Sequence, residues 1–218
     1  MPPPTDEIRT WTRQLPDKTT YTISTDPSLI QLDAINAAFA TDMIYWAGPL
    51  PLSILKRCIE QSLCFGLYVH GEEEDKSKDQ NIQVVQNTSS SPATSSRTGR
   101  TAMVGLARLV TDYTTFAYLT DVYVLPHHQG RGLGRWLMAC LDEVLVSWPA
   151  LRRCLLLTRD EAAVRMYGTA IGARELVSAS SSSSTTQEDD DGAGERKGKG
   201  GGGLFILERR GPGIGFTG

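Results

Sequence analysis

Near the middle of the chain, the pattern of apolar residues changes from one typical of a β-strand to one typical of a helix, and a glycine-rich loop separates the two. Residues 121–125 form a β-type apolar run that stops at Pro126. After the loop, apolar side chains return every three or four residues, which is the spacing of one face of a helix. The pattern therefore predicts a strand, a glycine-rich turn and a helix, in that order. The helical positions are Leu133, Trp136, Leu137, Cys140, Leu141, Val144, Leu145 and Trp148.

The rest of the chain alternates between predicted strands and helices, which indicates an α/β fold. Asp26 with Pro27, and also Pro51, are typical openings of two helices in the first part of the chain. A further helix is predicted over residues 161–171, because Asp160 is a good N-cap and Gly172 can end the helix. The predicted strands lie at residues 21–24, 65–69, 101–111, 118–124, 153–158, 174–177 and 204–208.

Two segments interrupt this alternation and contain few apolar residues. Residues 72–100 begin with acidic residues and lysines, and residues 178–203 contain a serine run, an acidic run and a Gly/Lys stretch. Neither composition can bury enough apolar surface to offset the entropy of ordering. We expect solvated insertions between neighbouring strands, with a regulatory or phosphorylated serine segment as the alternative. A single domain over residues 20–210 would then carry an N-terminal arm, 1–19, and a tail, 211–218.

Composition and charge narrow the classes of partner. The 218 residues have a net charge of −3, and no basic face is concentrated in the predicted ordered part, which argues against nucleic acid as the main partner. No apolar run approaches the ~20 residues that span a bilayer, so we expect no membrane partner. The four cysteines have neither metal-ligand nor paired spacing. We therefore expect no metal and a reducing compartment, the cytoplasm or the nucleus.

The glycine-rich turn is the candidate binding site. Gly130, Gly132 and Gly134 follow the predicted strand and open the predicted helix. Such a turn points backbone N–H groups and the positive end of the helix dipole at one place, which suits a phosphate. The turn lacks the Lys-Ser/Thr pair of a P-loop and the spacing of the dinucleotide fingerprint. An ordinary tight turn between a strand and a helix is the alternative.

The spacing Gln-x-x-Gly-x-Gly at Gln129, Gly132 and Gly134 resembles the pyrophosphate loop of the GNAT superfamily of N-acetyltransferases. Tyr167 also lies seven residues after Asp160, where the family has a Tyr after an Asn. The resemblance implies an α/β (α+β) GNAT fold. This is a mixed, mostly antiparallel sheet with splayed fourth and fifth strands, flanked by about four helices. It also implies acetyl-CoA as co-substrate and acetyl transfer to a primary amine by direct attack in a ternary complex.

The same resemblance implies which residues hold acetyl-CoA. Backbone groups of the strand before the loop would pair with the pantetheine arm, and backbone N–H groups of the loop would bind the pyrophosphate. Two arginine side chains would add charge-assisted contacts, with solvated surface charge as their alternative. The residues implied are Val122, Tyr123, Val124, Gln129, Gly130, Arg131, Gly132, Leu133, Gly134, Arg135 and Asp160.

Tyr167 is the expected general acid, because a phenol with a pKa of ~10 is protonated at neutral pH and can give a proton to the departing thiolate. Packing of its helix onto the sheet is the alternative. The general base is open between Asp121, Tyr118 and an ordered water. Strand alternation puts Tyr118 and Asp121 on opposite faces, so Asp121 would need a β-bulge to reach the reaction centre.

The acceptor side is less determined by the sequence. In the family the acceptor approaches from the first two helices and the last hairpin, where aromatic side chains favour an apolar or cationic amine. Packing in the core is the alternative for each aromatic residue. The acceptor is a small-molecule amine or a peptide amine, and the protein is a monomer or a homodimer. A catalytically inactive acyl-CoA-binding module is the alternative function. The aromatic candidates are Tyr45, Trp46, Tyr113 and Phe116.

Overall fold

The computed structural model describes residues 8–71, 101–176 and 204–213. The strands are β1 (Thr10–Gln14), β2 (Thr20–Ser24), β3 (Leu63–His70), β4 (Thr101–Thr111), β5 (Phe116–Val124), β6 (Arg153–Thr158), β7 (Arg174–Glu175) and β8 (Phe205–Arg210). The helices are α1 (Leu32–Phe39), α2 (Leu52–Glu60), α3 (Leu133–Val146) and α4 (Glu161–Ile171).

The strands form one sheet in the order β1-β2-β3-β4-β5-β6-β8-β7. All neighbouring strands run antiparallel except β5 and β6, which are parallel. A parallel pair needs a crossover connection, and α3 supplies it. This arrangement confirms the predicted mixed, mostly antiparallel sheet that is flanked by helices.

Each face of the sheet has its own apolar core. Helices α3 and α4 cover one face, where Leu137 and Leu141 of α3 pack with strand residues such as Leu119 and Leu156. Trp148, which follows α3, belongs to the same core. The apolar stripe predicted for α3 is the buried face of that helix.

Helices α1 and α2 cover part of the other face. Ile35 and Leu55 pack there on Tyr68, Leu106 and Tyr123, which belong to β3, β4 and β5. The helical cover thus lies over the first half of the sheet on this side.

Helix α4 begins and ends where the capping residues predict. The side chain of Asp160 accepts a hydrogen bond from the backbone N–H of Ala162, and Gly172 adopts the left-handed conformation with φ of 65°. Only glycine takes this conformation without steric cost, which stops the helix at Ile171. The caps fix the position of Tyr167 in the last part of the helix.

Strand β1 lies inside the segment 1–19 that we expected to be an arm outside the domain. Trp11 stacks on Phe65 with ring centroids 6.2 Å apart, and its indole N–H donates to Glu143 of α3 over 3.0 Å. Four of the five β1 residues are exposed, so the strand has no apolar alternation that sequence analysis could detect. The sheet therefore begins before the predicted boundary at residue 20.

The insertions predicted at 72–100 and 178–203 lie outside the described residues. In the tail that begins at Gly211, the backbone N–H of that glycine donates to the carbonyl of Arg152 over 3.0 Å, which ties the chain to the sheet. No helix in the described parts of the chain is long and apolar enough to cross a membrane.

Candidate active site

A cleft opens where β5 and β6 separate. The two strands pair only from Phe116 to Leu119 on β5 and from Arg153 to Leu156 on β6. Beyond Leu119, β5 continues in pairing with β4 alone, while β6 continues in pairing with β8. The cleft between the diverging ends has a volume of about 950 Å³. The β6-facing edge of the last β5 residues therefore has no strand partner among the described residues.

The glycine-rich loop forms one end of this cleft. Gly130 and Gly132 have φ of 74° and 75°, a left-handed conformation that residues with a Cβ adopt only at an energetic cost. Gly132 is the N-cap of α3. A Cβ added at Gly130, Gly132 or Gly134 would meet no heavy atom within 4 Å, so the space beside the loop is open. The first N–H groups of a helix have no intrahelical acceptor. The loop and the start of α3 thus provide donors beside an open space of the kind that binds an anion.

Two polar side chains of the loop, Gln129 and Arg131, make hydrogen bonds to other parts of the fold. The amide of Gln129 donates to the carbonyl of Val124 over 2.8 Å and so ties the loop to the end of β5. Arg131 donates to Asp17 in the turn between β1 and β2 over 2.6 Å. Neither Arg131 nor Arg135 lines the cleft, whereas the predicted loop residues Gln129, Gly130, Gly132, Leu133 and Gly134 do.

A β-bulge in β5 places Asp121 on the cleft. The pairing with β4 shifts register between Leu106 and Arg108, so that Asp121 and Val122 oppose a single residue of β4. Asp121 has φ of 51°, a left-handed conformation that aspartate tolerates better than most residues. The bulge brings the Asp121 side chain to the same cleft as Tyr118, a placement that regular alternation excludes.

The carboxylate of Asp121 is already bound on several sides. Arg108 Nε donates to Asp121 Oδ2 over 2.7 Å, and a second nitrogen of Arg108 donates to the hydroxyl of Ser62 over 3.0 Å. The indole N–H of Trp46 and the hydroxyl of Thr120 donate more weakly to Oδ1, over 3.4 and 3.3 Å. Asp121 is 8% exposed. The ion pair with Arg108 neutralises this buried charge, which would otherwise carry a large desolvation cost.

Tyr167 projects from α4 onto the cleft. It is buried, and burial raises the pKa of its phenol, an effect to which the nearby charge of Asp160 adds. The hydroxyl therefore stays protonated throughout the neutral range. Asp160 lines the same cleft while it caps α4.

The aromatic residues expected on the acceptor side divide into two pairs. Tyr45 and Trp46 line the cleft and contact each other edge to face, with ring centroids 5.0 Å apart. Tyr113 and Phe116 do not line it; Tyr113 packs near Trp148, with ring centroids 6.3 Å apart. The physical reason is the direction of β5, which starts at this turn and rises ~3.3 Å per residue towards the cleft. Tyr113 and Phe116 thus lie away from the cleft, and their contact with the acceptor stays a prediction.

Sequence analysis missed several residues in or beside the cleft. Arg108, which pairs with the cleft residue Asp121, had a detectable signal, because it is a lone charge in the apolar run of β4 and buried charges are usually paired. Missed residues that line the cleft include Met43, Leu157, Arg159 and Met166, none of which stands out by type or spacing. In the described parts of the chain, no group of three His, Cys, Asp or Glu side chains is arranged to hold a metal ion.

Comparison with known proteins adds a family relationship. The model of the acetyltransferase (GNAT) family matches residues 60–172. A Gibberella zeae protein that carries the name of an acetyltransferase is 43% identical over 155 residues, which are 71% of this chain and 80% of that protein. A crystal structure of a GNAT-family protein from Xanthomonas campestris pv. campestris is 33% identical, covering 68% of this chain and 82% of that chain with a TM-score of 0.46. The ribosomal-protein-S18-alanine N-acetyltransferase from Escherichia coli is 19% identical, covering 90% of this chain and 97% of that chain with a TM-score of 0.49.

Proposed function

The chain belongs to the GNAT family of acetyltransferases, and we propose that it transfers the acetyl group of acetyl-CoA to a primary amine. The observation that carries this proposal is the separation of β5 from β6 after Leu119, which opens the cleft between the glycine-rich loop and Tyr167. Because all four cysteines are free, the cytoplasm or the nucleus remains the proposed compartment.

The free edge of β5 is the proposed site for the pantetheine arm of acetyl-CoA. Val122, Tyr123 and Val124 line the cleft with an edge that has no strand partner among the described residues. Their backbone N–H and C=O groups can pair with the amides of an extended ligand, as a further strand would. The bulge at Asp121 gives the neighbouring backbone N–H groups a direction that a regular ladder does not allow. One of them is the proposed donor to the thioester oxygen, where negative charge develops during attack.

The loop at the N-terminus of α3 is the proposed pyrophosphate site. The N–H groups of residues 130–135 belong to the loop and the first turn of α3, and the space beside Gly130, Gly132 and Gly134 is open. They would bind the phosphates together with the positive end of the α3 dipole. Arg135 is exposed, and Arg131 would have to leave Asp17 before it could add a charge-assisted contact.

Tyr167 is the proposed general acid toward the departing thiolate. Its raised pKa keeps the phenol protonated at neutral pH, so the group is ready to donate. The same high pKa favours a strong hydrogen bond to the sulfur over early release of the proton. Tyr167 would thus stabilise the thiolate as the bond to the acetyl carbon breaks, and it would complete proton transfer only as charge develops.

Removal of the amine proton remains open between Asp121, Tyr118 and water. In a regular strand Asp121 would point to the face opposite Tyr118, away from the reaction centre, but the bulge turns it to the same face. Its carboxylate, however, is paired with Arg108. Both oxygens of this carboxylate already accept hydrogen bonds, Oδ2 from Arg108 and Oδ1 from Trp46 and Thr120. We therefore propose that Asp121 mainly holds the bulge in place. An ordered water on the cleft would carry the amine proton to solvent, or Tyr118 would relay it by passing its own hydroxyl proton to solvent as it accepts the proton of the amine.

A thiol-release assay with acetyl-CoA tests the proposal. The full chain would be supplied with a panel of primary amines, amino acids and peptides, and products would be identified by their gain of an acetyl group in mass spectrometry. Free CoA that appears only with an amine, together with the acetylated product, is expected. Thermal stabilisation by acetyl-CoA without thiol release for any amine would instead support an acyl-CoA-binding module.

A further inference from the structure

The second half of the sheet has one face that no helix covers among the described residues. Helices α1 and α2 pack on this side only over residues such as Tyr68, Leu106 and Tyr123, on β3 to β5. Helices α3 and α4 cover the opposite side, where Leu119, Leu156 and Leu207 are buried. The remaining surface, formed by one face of β4, β5, β6, β8 and β7, is called the open face.

The strand register shows which side chains share the open face, because residues paired across neighbouring strands point to the same side. Three parallel rows result. The first row is Phe116, Arg153 and Arg210. The second row is Val110, Tyr118, Leu155, Glu208 and Arg174. The third row is Leu157, Ile206 and Leu176.

Apolar residues on the open face are exposed to an unusual degree. Val110, Phe116, Leu157, Leu176 and Ile206 are each between 40% and 43% exposed. With five strands ~4.8 Å apart and three rows two residues apart, the face measures roughly 19 Å across the strands and roughly 13 Å along them. Contiguous exposed apolar surfaces of this kind mark interaction sites, whereas isolated exposed side chains do not.

The charges on the open face are unbalanced. In the three rows, Arg153, Arg174 and Arg210 carry three positive charges and Glu208 carries one negative charge, which leaves a surplus of two. The ion pair of Arg108 with Asp121 beside the rows is neutral and does not change this surplus. Glu208 pairs with Arg153 over 3.0 Å and with Arg210 over 3.4 Å. Arg174 has no ion pair within the described residues, and the same holds for Arg159 beside the cleft. A partner of this face therefore needs carboxylates as well as apolar side chains.

The open face continues directly into the cleft. Tyr118 of the second row and Leu157 of the third row both line the cleft. A molecule bound along the rows would thus extend into the proposed reaction centre. A small amine would occupy the cleft alone and would leave the rows uncovered.

We propose that the open face is the docking surface for a polypeptide acceptor whose amine lies next to apolar and acidic residues. This proposal rests on the proposed acetyl transfer. A second copy of the chain fits the face less well, because a two-fold contact would place its positive surplus against itself. An acidic polypeptide supplies the opposite charge, and its apolar side chains would cover the exposed rows.

The test compares three synthetic peptides of equal length, each with one free N-terminal amine and no lysine. One is rich in Leu, Asp and Glu, one in Leu and Arg, and one in Gly and Ser. Affinity is measured by fluorescence anisotropy and kcat/KM by thiol release. The charge-reversing variant Arg174→Glu with Arg210→Glu is the perturbation. Lys56→Glu with Arg57→Glu, on the exposed side of α2, is the control with the same change in net charge.

We expect the acidic peptide to bind best and to be acetylated best. The Arg174→Glu, Arg210→Glu variant should lower its kcat/KM about tenfold or more at low salt, with a smaller loss at high salt, because steering by surface charge is screened. Turnover of a small amine should be unchanged in both variants, and the control variant should keep its preference for the acidic peptide.

Three results overturn the proposal. These are equal kcat/KM for the three peptides, an equal loss of acidic-peptide kcat/KM in both variants, and a dimer in sedimentation that the Arg174→Glu, Arg210→Glu change alters. Binding of the acidic peptide without acetyl transfer to any amine would leave the docking surface intact and would reject the proposed enzymatic function instead.

Discussion

Asp121 can have one of two roles: it can stabilise the β-bulge through its ion pair with Arg108, which we call the brace role, or it can act as the general base. Disrupting the ion pair distinguishes the two roles. We consider Asp121→Asn, which removes the charge but keeps the shape of the side chain. The side chains of Arg108 and Asp121 are 19% and 10% exposed. Removing one partner of a buried pair typically costs ~3–5 kcal/mol, and the remaining exposure of Arg108 places this pair at the lower end. We therefore expect the free energy of unfolding to fall by about 3 kcal/mol.

The backbone at Asp121 provides a matched control. Its φ of 51° is a left-handed conformation that Asp and Asn adopt more readily than Ala. Asp121→Ala should therefore lose roughly 1–2 kcal/mol more than Asp121→Asn from backbone strain alone. Asp121→Gly relieves that strain, so it separates the backbone contribution from the loss of the ion pair.

Urea unfolding gives the stability of these variants, and the pH dependence of kcat/KM gives their chemistry. If Asp121 has the brace role, Asp121→Asn should be less stable and should keep the pH dependence of kcat/KM of the parent. If Asp121 is the base, Asp121→Asn should lose the acidic limb of that pH dependence. If Asp121→Asn kept its stability within ~0.5 kcal/mol, a typical effect of a surface substitution, the brace argument would be refuted. A double-mutant cycle with Arg108→Met should show a coupling of ~0.5–3 kcal/mol.

Three further predictions concern the cofactor, the acid and the insertions. Gly134→Ala should weaken thermal stabilisation by acetyl-CoA without loss of stability, because its Cβ meets only open space, whereas Gly132→Val should also strain the backbone at φ of 75°. Equal stabilisation of parent and Gly134→Ala would remove the loop from the binding site. Tyr167→Phe should lower kcat by ~10²–10⁴-fold with little change in acetyl-CoA affinity. Because the pKa of Tyr167 is raised, parental kcat should show no alkaline loss from this group below about pH 10, and unchanged kcat in Tyr167→Phe would assign it to packing. Replacing residues 72–100 and 178–203 by short Gly/Ser linkers should preserve acetyl-CoA binding, and loss of soluble protein would contradict this.

Local signals explain which elements could be predicted from the sequence. Helix α4 has a side-chain cap at its start and a left-handed glycine at its end, and both act on the backbone nearest to them. The β4 strand was predicted over its full length because a long apolar run crosses the centre of the sheet. Strand β1 could not be predicted in this way, because its pairing with β2 and its contact with α3 depend on residues far along the chain.

The acceptor side of the site shows the same limit. Whether Asp121 reaches the cleft depends on a register shift between β4 and β5, which the period-two pattern of either strand cannot reveal. The position of Tyr113 and Phe116 away from the cleft has a related cause, because proximity along the chain to the cleft-forming strand says nothing about which end of that strand is near. Cross-strand register, more than composition, decided these positions.

The separation of β5 from β6 also has a consequence for the abundance of the protein in a cell. An unpaired strand edge inside a sheet exposes N–H and C=O groups that any extended chain can pair with, which favours aggregation. A ligand that fills this gap binds the folded state alone and stabilises it by mass action, by ~2.7 kcal/mol at a hundredfold excess over Kd. For a protein of marginal stability, such a gain changes the unfolded fraction about a hundredfold. The abundance of this protein should then rise and fall with the supply of its thioester substrate.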